Sequence, residues 1–415
     1  MSEKRNIVLI TLDSVRADHC SFMGYHRETT PTIDRMARDG LYFKNAVACG
    51  VPTPNSMIGV FTGDFSYNDS TCLEAKCWRN ELAARKTLAQ ALSKEGYSTG
   101  AFHVNPLISS YFGFDKGFDT FQDYFIKGNK SIIKSLLRKL RLDFLIGIKD
   151  VIMRQGAFLC WEGFYNDIIN WIEKSREPFF LWVHLMDTHA FYLPPRKFRK
   201  WSNLFDMYYC NWKLHRGREY HHNFTEKEKN KIINVYDDAI RYADTFIGVL
   251  WNDLKIRDPI FIIHSDHGEG FGEHGFYGHP PMLYEELIHV PLVIYNADVK
   301  GKVEDPVSLR GLAPTILDLI GKENVFPSKS FLNRGNDWVI SQVFDKEKKK
   351  IAVRMKNWKF IVGQKEKDEL YYLNNDPYEQ NNLIDEYPKL VVEMKNIVKS
   401  HIRRGRQRSF CEKPV

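Results

Sequence analysis

The chain has 415 residues, 43% hydrophobic and 27% charged. Burial on that scale can offset chain entropy, which excludes both a single small module and a disordered chain and implies one large core with a smaller companion. The 59 lysines and arginines exceed the 52 acidic residues by +7, too thin a field over this length to imply nucleic acid, and none is expected as a partner.

A polar start, Met1-Ser2-Glu3-Lys4-Arg5, runs straight into Ile7-Val8-Leu9-Ile10. That is too short for a signal sequence, and no long apolar stretch follows, so a soluble, cytoplasmic protein is expected. Seven scattered cysteines without a C-x-x-C pair suit reduced thiols better than a disulfide framework or a zinc ribbon. Asn6 to Leu12 is short, continuous and β-branched, as in a strand buried on both faces, and it ends at Asp13. Helical patterns follow at Pro31–Gly40 and Glu81–Gly96. Between residues 127 and 155, Ile132, Ile133, Leu136, Leu137, Leu140, Phe144 and Ile148 recur at helical spacing among lysines and arginines. This predicts a basic amphipathic helix, either a lid or insertion helix packed on the core or a peripheral contact with an anionic membrane surface or a polyanionic substrate. Further strands are predicted at Pro178–Met186, Pro259–Ser265 and Val290–Tyr295. Beyond residue 300 come a helix near Ser308–Gly321 and strands at Ile351–Met355, Lys359–Gln364 and Glu369–Leu373, then a basic run Arg403–Arg408 that reads as solvated.

Alternation of strand and helix argues for an α/β sheet, and the later strands for a small antiparallel sheet appended to it. The division expected is a catalytic unit over 1–300 and a C-terminal subdomain over 301–415. In such sheets ligands gather at the carboxyl ends of the strands. Here those ends carry Asp13, Asp187-Thr188-His189 and Asp266-His267. One aspartate after a strand is more often a turn or a helix cap; three strands delivering acidic and imidazole groups to one edge point to a site. Ser265 to His279 packs an aspartate, two glutamates and three histidines between glycines, a donor set for a divalent metal in a backbone that can approach a ligand closely. A metal that offsets charge on an oxyanion suits ester hydrolysis.

Four blocks resemble the sulfatase family of the alkaline phosphatase superfamily: Asn6 to His19, Thr30 to Gly40 leading to Phe43, Ser265 to His279 continuing to Leu292, and Leu370 to Leu383. The resemblance implies a large, mixed, mostly parallel sheet sandwiched by helices, with the smaller antiparallel sheet at the C-terminus. Sulfatases of this family use a formylglycine made from Cys or Ser in a C/S-x-P-x-R motif, ten residues before the glycine of a Thr-Gly pair. Counting back from Thr62-Gly63 reaches Thr53, in Thr53-Pro54-Asn55-Ser56-Met57, so the modification motif is absent. A threonine there resembles the branch of phosphoethanolamine and phosphoglycerol transferases and phosphodiesterases, which attack phosphorus with a hydroxyl. Taken alone, Thr53 reads as a turn or cap before a helix over Ser56–Phe61.

By the same resemblance a divalent ion would be held by Asp13, Thr53, Asp266 and His267. Ser14 and His267, where many sulfatases have an acid and an asparagine, shift the expectation from calcium or magnesium towards zinc or manganese. His189 and His279 would contact the transferred group or protonate the leaving group. Asn105 would make a substitute polar contact with the substrate, and His274 would brace the glycine loop. Asp187 and His189 lack the D-x-x-x-H spacing of a second metal site. The leading expectation is hydrolysis or transfer of phosphate esters through a phospho-Thr53 intermediate, with glycan or lipid head groups among the substrates. The alternatives are a sulfuric ester hydrolase acting without formylglycine and a binding protein on a decayed scaffold. No expectation for the oligomeric state follows.

Overall fold

The computed structural model describes residues 5–124, 159–216, 220, 223–332, 337–345, 348–365 and 367–405. The amphipathic helix expected over 127–155 lies outside them, as does the end of the basic run beyond residue 405. In chain order the elements are β1 (Ile7–Leu12), α1 (Pro31–Asp39), β2 (Leu41–Phe43), β3 (Ala46–Val47), α2 (Thr53–Thr62), α3 (Ala75–Ala83), α4 (Leu88–Lys94), β4 (Ser98–His103) and β5 (Thr120–Asp123). Then come α5 (Tyr165–Lys174), β6 (Phe179–Leu185), α6 (Leu204–Arg216), α7 (Glu226–Leu254), β7 (Ile260–Ser265), β8 (Gly270–Phe271), β9 (Tyr277–Gly278), α8 (Glu285–Ile288), β10 (His289–Val290) and β11 (Leu292–Tyr295). The chain closes with β12 (Gly301–Val303), β13 (Val307–Ser308), α9 (Leu312–Leu319), β14 (Trp338–Asp345), β15 (Lys348–Met355), β16 (Trp358–Val362), β17 (Glu369–Tyr372) and α10 (Pro388–Gly405).

Strands β1, β6 and β7 are buried at every position, because helices cover both faces of the sheet they build. The strand order is β12-β2-β11-β7-β1-β6-β4-β5. Within it β7, β1, β6, β4 and β5 run parallel, and β11 runs antiparallel to both its neighbours. The fold is the mixed, mostly parallel α/β sheet expected. On one face Ile7 and Leu9 join Met57, Val60 and Phe61 of α2 in a hydrophobic cluster. On the other, Val8, Ile10 and Leu12 meet Val235, Phe246 and Leu250 of α7. Helix α7 begins in a capping box between Thr225 and Glu228, and its Asp244 carboxylate accepts the Thr32 and Ile33 amides, which caps α1.

Two local expectations change. The single helix over Glu81–Gly96 is two helices, because Thr87 opens a new one: its hydroxyl accepts the Gln90 amide at 3.2 Å while the Gln90 side chain accepts the Thr87 amide at 3.2 Å. The helix expected from Ser56 starts three residues earlier, at Thr53 itself, with Pro52 at the N-cap. Proline at the second helical position is tolerated there because first-turn amides need no intrahelical partner.

The C-terminal sheet is the antiparallel meander β14-β15-β16-β17, one strand larger than expected. Val391, Met394 and Val398 of α10 cover its face against Ile351, Val353 and Phe360. Buried charges tie it to the core: Lys359 lies 2.8 Å from Glu379 and 3.1 Å from Glu285, which also meets Arg354 at 3.2 Å. Among the described residues no helix is long and apolar enough to cross a membrane. Cys20, Cys49, Cys72 and Cys210 are free.

Candidate active site

Parallel strands in register end level with one another, so the residues just beyond β1, β6 and β7 meet at one edge. Asp13 follows β1, with its amide bonded to Leu185 O at 2.9 Å and its carbonyl accepting the Thr188 hydroxyl at 2.6 Å. Ser265 at the end of β7 donates to Leu12 O and receives the Val15 amide, stitching the two strand ends together. Ser14 takes a left-handed φ of 61°, which lets its amide reach Asp266 Oδ1 at 3.2 Å while its hydroxyl donates to Asp13 Oδ1 at 2.7 Å. Asp266 Oδ1 also accepts the His267 amide at 2.9 Å. The carboxylates of Asp13 and Asp266 are thereby oriented by backbone as well as by side chains, and both are fully buried.

His267 Nδ1 faces Gly268 O at 2.9 Å, which turns the Nε2 lone pair to the cluster. Single ligand atoms of Asp13, Asp266 and His267 all lie within 4.8 Å of one another, a grouping that could hold a metal ion. Burial opposes ionisation of Asp266, yet His267 and His184 hold its carboxyl far below the usual carboxylate range.

Helix α2 points its N-terminus at this cluster. Thr53, in its first turn and 3% exposed, places Oγ1 at 3.1 Å from His267 Nε2 and 3.5 Å from Asp13 Oδ2. Ser56, one turn along, donates to Asp266 O at 2.7 Å and fixes the helix to the loop that bears Asp266 and His267. The partial positive charge of the helix end favours negative charge on an oxygen placed there.

His279 stands over the cluster, its ring centroid 4.5 Å from that of His267 and 5.0 Å from that of His189. Burial lowers its proton affinity, but Glu269, 3.1 Å from Nδ1, and the Asp13 and Asp266 charges lift it to about 8. Burial dominates at His189 and pushes it down. The two imidazoles thus differ in charge preference while facing the same space.

Asn105, expected to contact substrate, is brought to the cluster itself. Its Nδ2 donates to Asp13 Oδ2 at 3.0 Å, and its Oδ1 accepts the Leu107 amide at 2.9 Å. His274 stands apart from the cluster: it meets Glu286 at 2.6 Å and stacks on Tyr284 at 3.5 Å. Asp187 accepts the Trp161 amide at 3.3 Å. Two further contributors escaped the sequence reading. Glu269 orients His279, and its place inside the glycine-rich block was a signal. His184, inside β6, lies 3.6 Å from Asp13 and 3.9 Å from Asp266; a lone imidazole in an otherwise apolar strand was its only mark.

Residues 5–322 match the family model described as Sulfatase. An arylsulfatase of Clostridium perfringens is 24% identical over 477 aligned residues, spanning 99% of this chain and 96% of that protein. An N-acetylglucosamine-6-O-sulfatase of Bacteroides thetaiotaomicron is 24% identical over 96% of this chain and 86% of its own length. Among solved structures, a phosphonate monoester hydrolase of Agrobacterium radiobacter superposes with a TM-score of 0.73 at 19% identity, covering 97% of this chain and 96% of its own.

Proposed function

The chain belongs to the sulfatase family, and from that premise we propose that it is a metal-dependent hydrolase or transferase of anionic esters in which Thr53 is the nucleophile. The observation that carries this reading is the Thr53 hydroxyl at the buried N-terminus of α2, 3.1 Å from His267 Nε2 and 3.5 Å from Asp13. Two fully buried carboxylates in one small volume fit a divalent cation, and Asp266 Oδ2 has no hydrogen-bond partner among the described residues. Asp13, Thr53, Asp266 and His267 would hold it, a mixed oxygen and imidazole set that suits zinc or manganese. When bound, the ion offsets negative charge on the hydroxyl oxygen and on the group being transferred.

The protein's own groups supply the rest. Thr53 Oγ1, having first released its proton to solvent, forms a bond to the phosphorus of the ester as the alcohol oxygen leaves with its electron pair, and His279, held by Glu269, gives that oxygen a proton. The neutral imidazole of His189 faces the same atoms and orients the nonbridging oxygens. A water or an acceptor alcohol then attacks the phosphorus and gives its proton to His279, and the P–Oγ1 bond breaks with its electron pair on Oγ1, returning Thr53 as the same oxyanion. The helix end behind Thr53 stabilises the charge that develops on Oγ1 in both steps.

Hydroxyl chemistry supports a phosphate ester, because Thr53 is neither the cysteine nor the serine from which formylglycine is made. The names of the relatives support a second reading: hydrolysis of a sulfuric ester, and with the N-acetylglucosamine-6-O-sulfatase a carbohydrate one. Of the two, the comparisons weigh towards the sulfate ester. Parallel assays of aryl sulfate, aryl phosphate and an aryl phosphodiester with added zinc or manganese separate them. Turnover of the phosphorus esters, with a covalent adduct on the Thr53 peptide in mass spectra of quenched enzyme, is the expected result. Turnover of the sulfate alone moves the assignment to the second reading, and turnover of none removes both.

A further inference from the structure

One row of the central sheet, two residues before the metal-binding carboxylates, is unusually polar. It runs His103 on β4, His184 on β6, Thr11 on β1 and His264 on β7, each paired in register with the next. The histidines differ in what they touch. His264 has a partner at each ring nitrogen, Thr11 Oγ1 at 2.9 Å and Ser265 O at 3.0 Å. His103 Nε2 lies 2.7 Å from Asp123 in an ion-pair contact, although neither of its ring nitrogens makes a hydrogen bond among the described residues. His184 is fully buried, and neither of its ring nitrogens has a hydrogen-bond partner among the described residues.

A buried imidazole with both nitrogens unsatisfied costs free energy unless the site supplies what it lacks. What lies in front of Nε2 is specific: Asp13 Oδ2 at 3.6 Å and Asp266 Oδ2 at 3.9 Å. Asp266 Oδ2 is itself without a hydrogen-bond partner among the described residues. An imidazole nitrogen facing two carboxylates that would share an ion is placed to orient them as ligands and to tune their hold on it. We propose that His184 is a positioning residue of the metal centre, whose Nε2–H holds the Oδ2 atoms of Asp13 and Asp266 in the directions that metal binding requires. The assignment rests on the reading of that cluster as a metal site. It gives the strand-interior histidine a task that packing alone does not require, since a leucine would fill the space without an unsatisfied donor.

The test uses the whole chain, stripped of metal and titrated with zinc against a chromophoric chelator. His184→Leu is expected to weaken zinc binding about 10- to 100-fold while the metal-free protein melts no lower than wild type. His184→Gln, whose amide N–H can take the place of Nε2–H, is expected to keep binding within a few-fold. Pulsed electron paramagnetic resonance of the manganese-loaded proteins should count the same number of coordinated imidazole nitrogens in wild type and His184→Gln. Unchanged zinc affinity in His184→Leu overturns the inference while leaving the metal site standing. Loss of one coordinated imidazole in His184→Gln also overturns it, by making His184 a direct ligand. A wild-type protein that binds neither ion overturns the metal reading and this inference together.

Discussion

Thr53→Ala removes one oxygen from the site and little else. Thr53 is 3% exposed, its hydroxyl makes one contact at 3.1 Å and a weak one at 3.5 Å, and the helix cap is Pro52 rather than Thr53. No cap is lost, so the stability cost is that of one modest hydrogen bond, about 1 kcal/mol. The catalytic cost is of another order. Without a nucleophile the covalent route closes, and losses of about 10³- to 10⁶-fold in kcat/KM follow, equivalent to ~4–8 kcal/mol of transition-state stabilisation. Thr53→Ser keeps the oxygen and should retain turnover, at a reduced rate because serine has more side-chain freedom than β-branched threonine. The assay is steady-state kinetics on whichever aryl ester the wild type turns over, with thermal melts of the same preparations. If Thr53→Ala melts like wild type and keeps its kcat, Thr53 is not the nucleophile and the mechanism fails. A variant that is inactive and also unfolded is replaced in the argument by Thr53→Ser and Thr53→Val, which differ in the hydroxyl at nearly constant volume for the valine.

Other parts of the structure make their own predictions. Chelation should abolish turnover and lower the melting temperature, since an ion at about 100 times its Kd stabilises the folded state by ~2.7 kcal/mol; identical melts with and without metal in scanning calorimetry would show that the Asp13 and Asp266 pair holds none. Glu273→Gln should destabilise the protein by roughly 1–3 kcal/mol at neutral pH in urea titrations, because Glu273 pairs with Arg16 at 2.5 Å and the two side chains are 11% and 2% exposed. Burial raises the Glu273 pKa, but Arg16 outweighs it and leaves it lowered. Its contribution is therefore complete above the ordinary glutamate pKa and is lost as pH falls through the lowered folded value, so the gap between wild type and variant should close on acidification below the ordinary glutamate range. A gap that widens on acidification contradicts the pairing. Thr87→Ala should cost about 1 kcal/mol and speed amide exchange in the first turn of α4, whereas Thr87→Ser should not; equal exchange in both variants would mean that the capping box contributes nothing.

How much of this was legible in the sequence depends on where each element's stabilisation lies. The strands β1, β6 and β7 are continuous apolar runs because both of their faces are buried, and such runs stand out without knowledge of the neighbours. Strand β2 and strand β12 are short, and β12 is largely exposed; pairing with residues far along the chain makes them strands, and pairing is not written in their composition. The break between α3 and α4 was written locally, in Thr87 and Gln90, but the apolar positions on either side kept a helical rhythm that masked it. The start of α2 was displaced for the opposite reason: prolines at 52 and 54 read as a loop, although both suit the entry to a helix.

The site divides in the same way. Asp13, Asp266 and His267 could be read because each follows a strand, where a charged residue has no packing reason to sit, and the spacing to Thr62-Gly63 carried Thr53 with them. Asn105 was placed near the site, but its Nδ2 bond to Asp13 joins residues 92 apart across the sheet edge, a contact that no local pattern encodes. His184 is the instructive case. Inside a strand, a histidine is weighed against its apolar neighbours and taken for a satisfied core group. What gives it chemical meaning is register: β6 pairs with β1 so that His184 stands beside Thr11, and the same alternation that turns Leu12 and Leu185 to the opposite face brings Asp13 forward on the face His184 occupies. A one-residue slip of β6 would turn this histidine away from the carboxylates and leave the fold class unchanged. Strand ends can therefore nominate candidate metal ligands from sequence alone, whereas a group proposed to orient them emerges only once the pairing of strands is known.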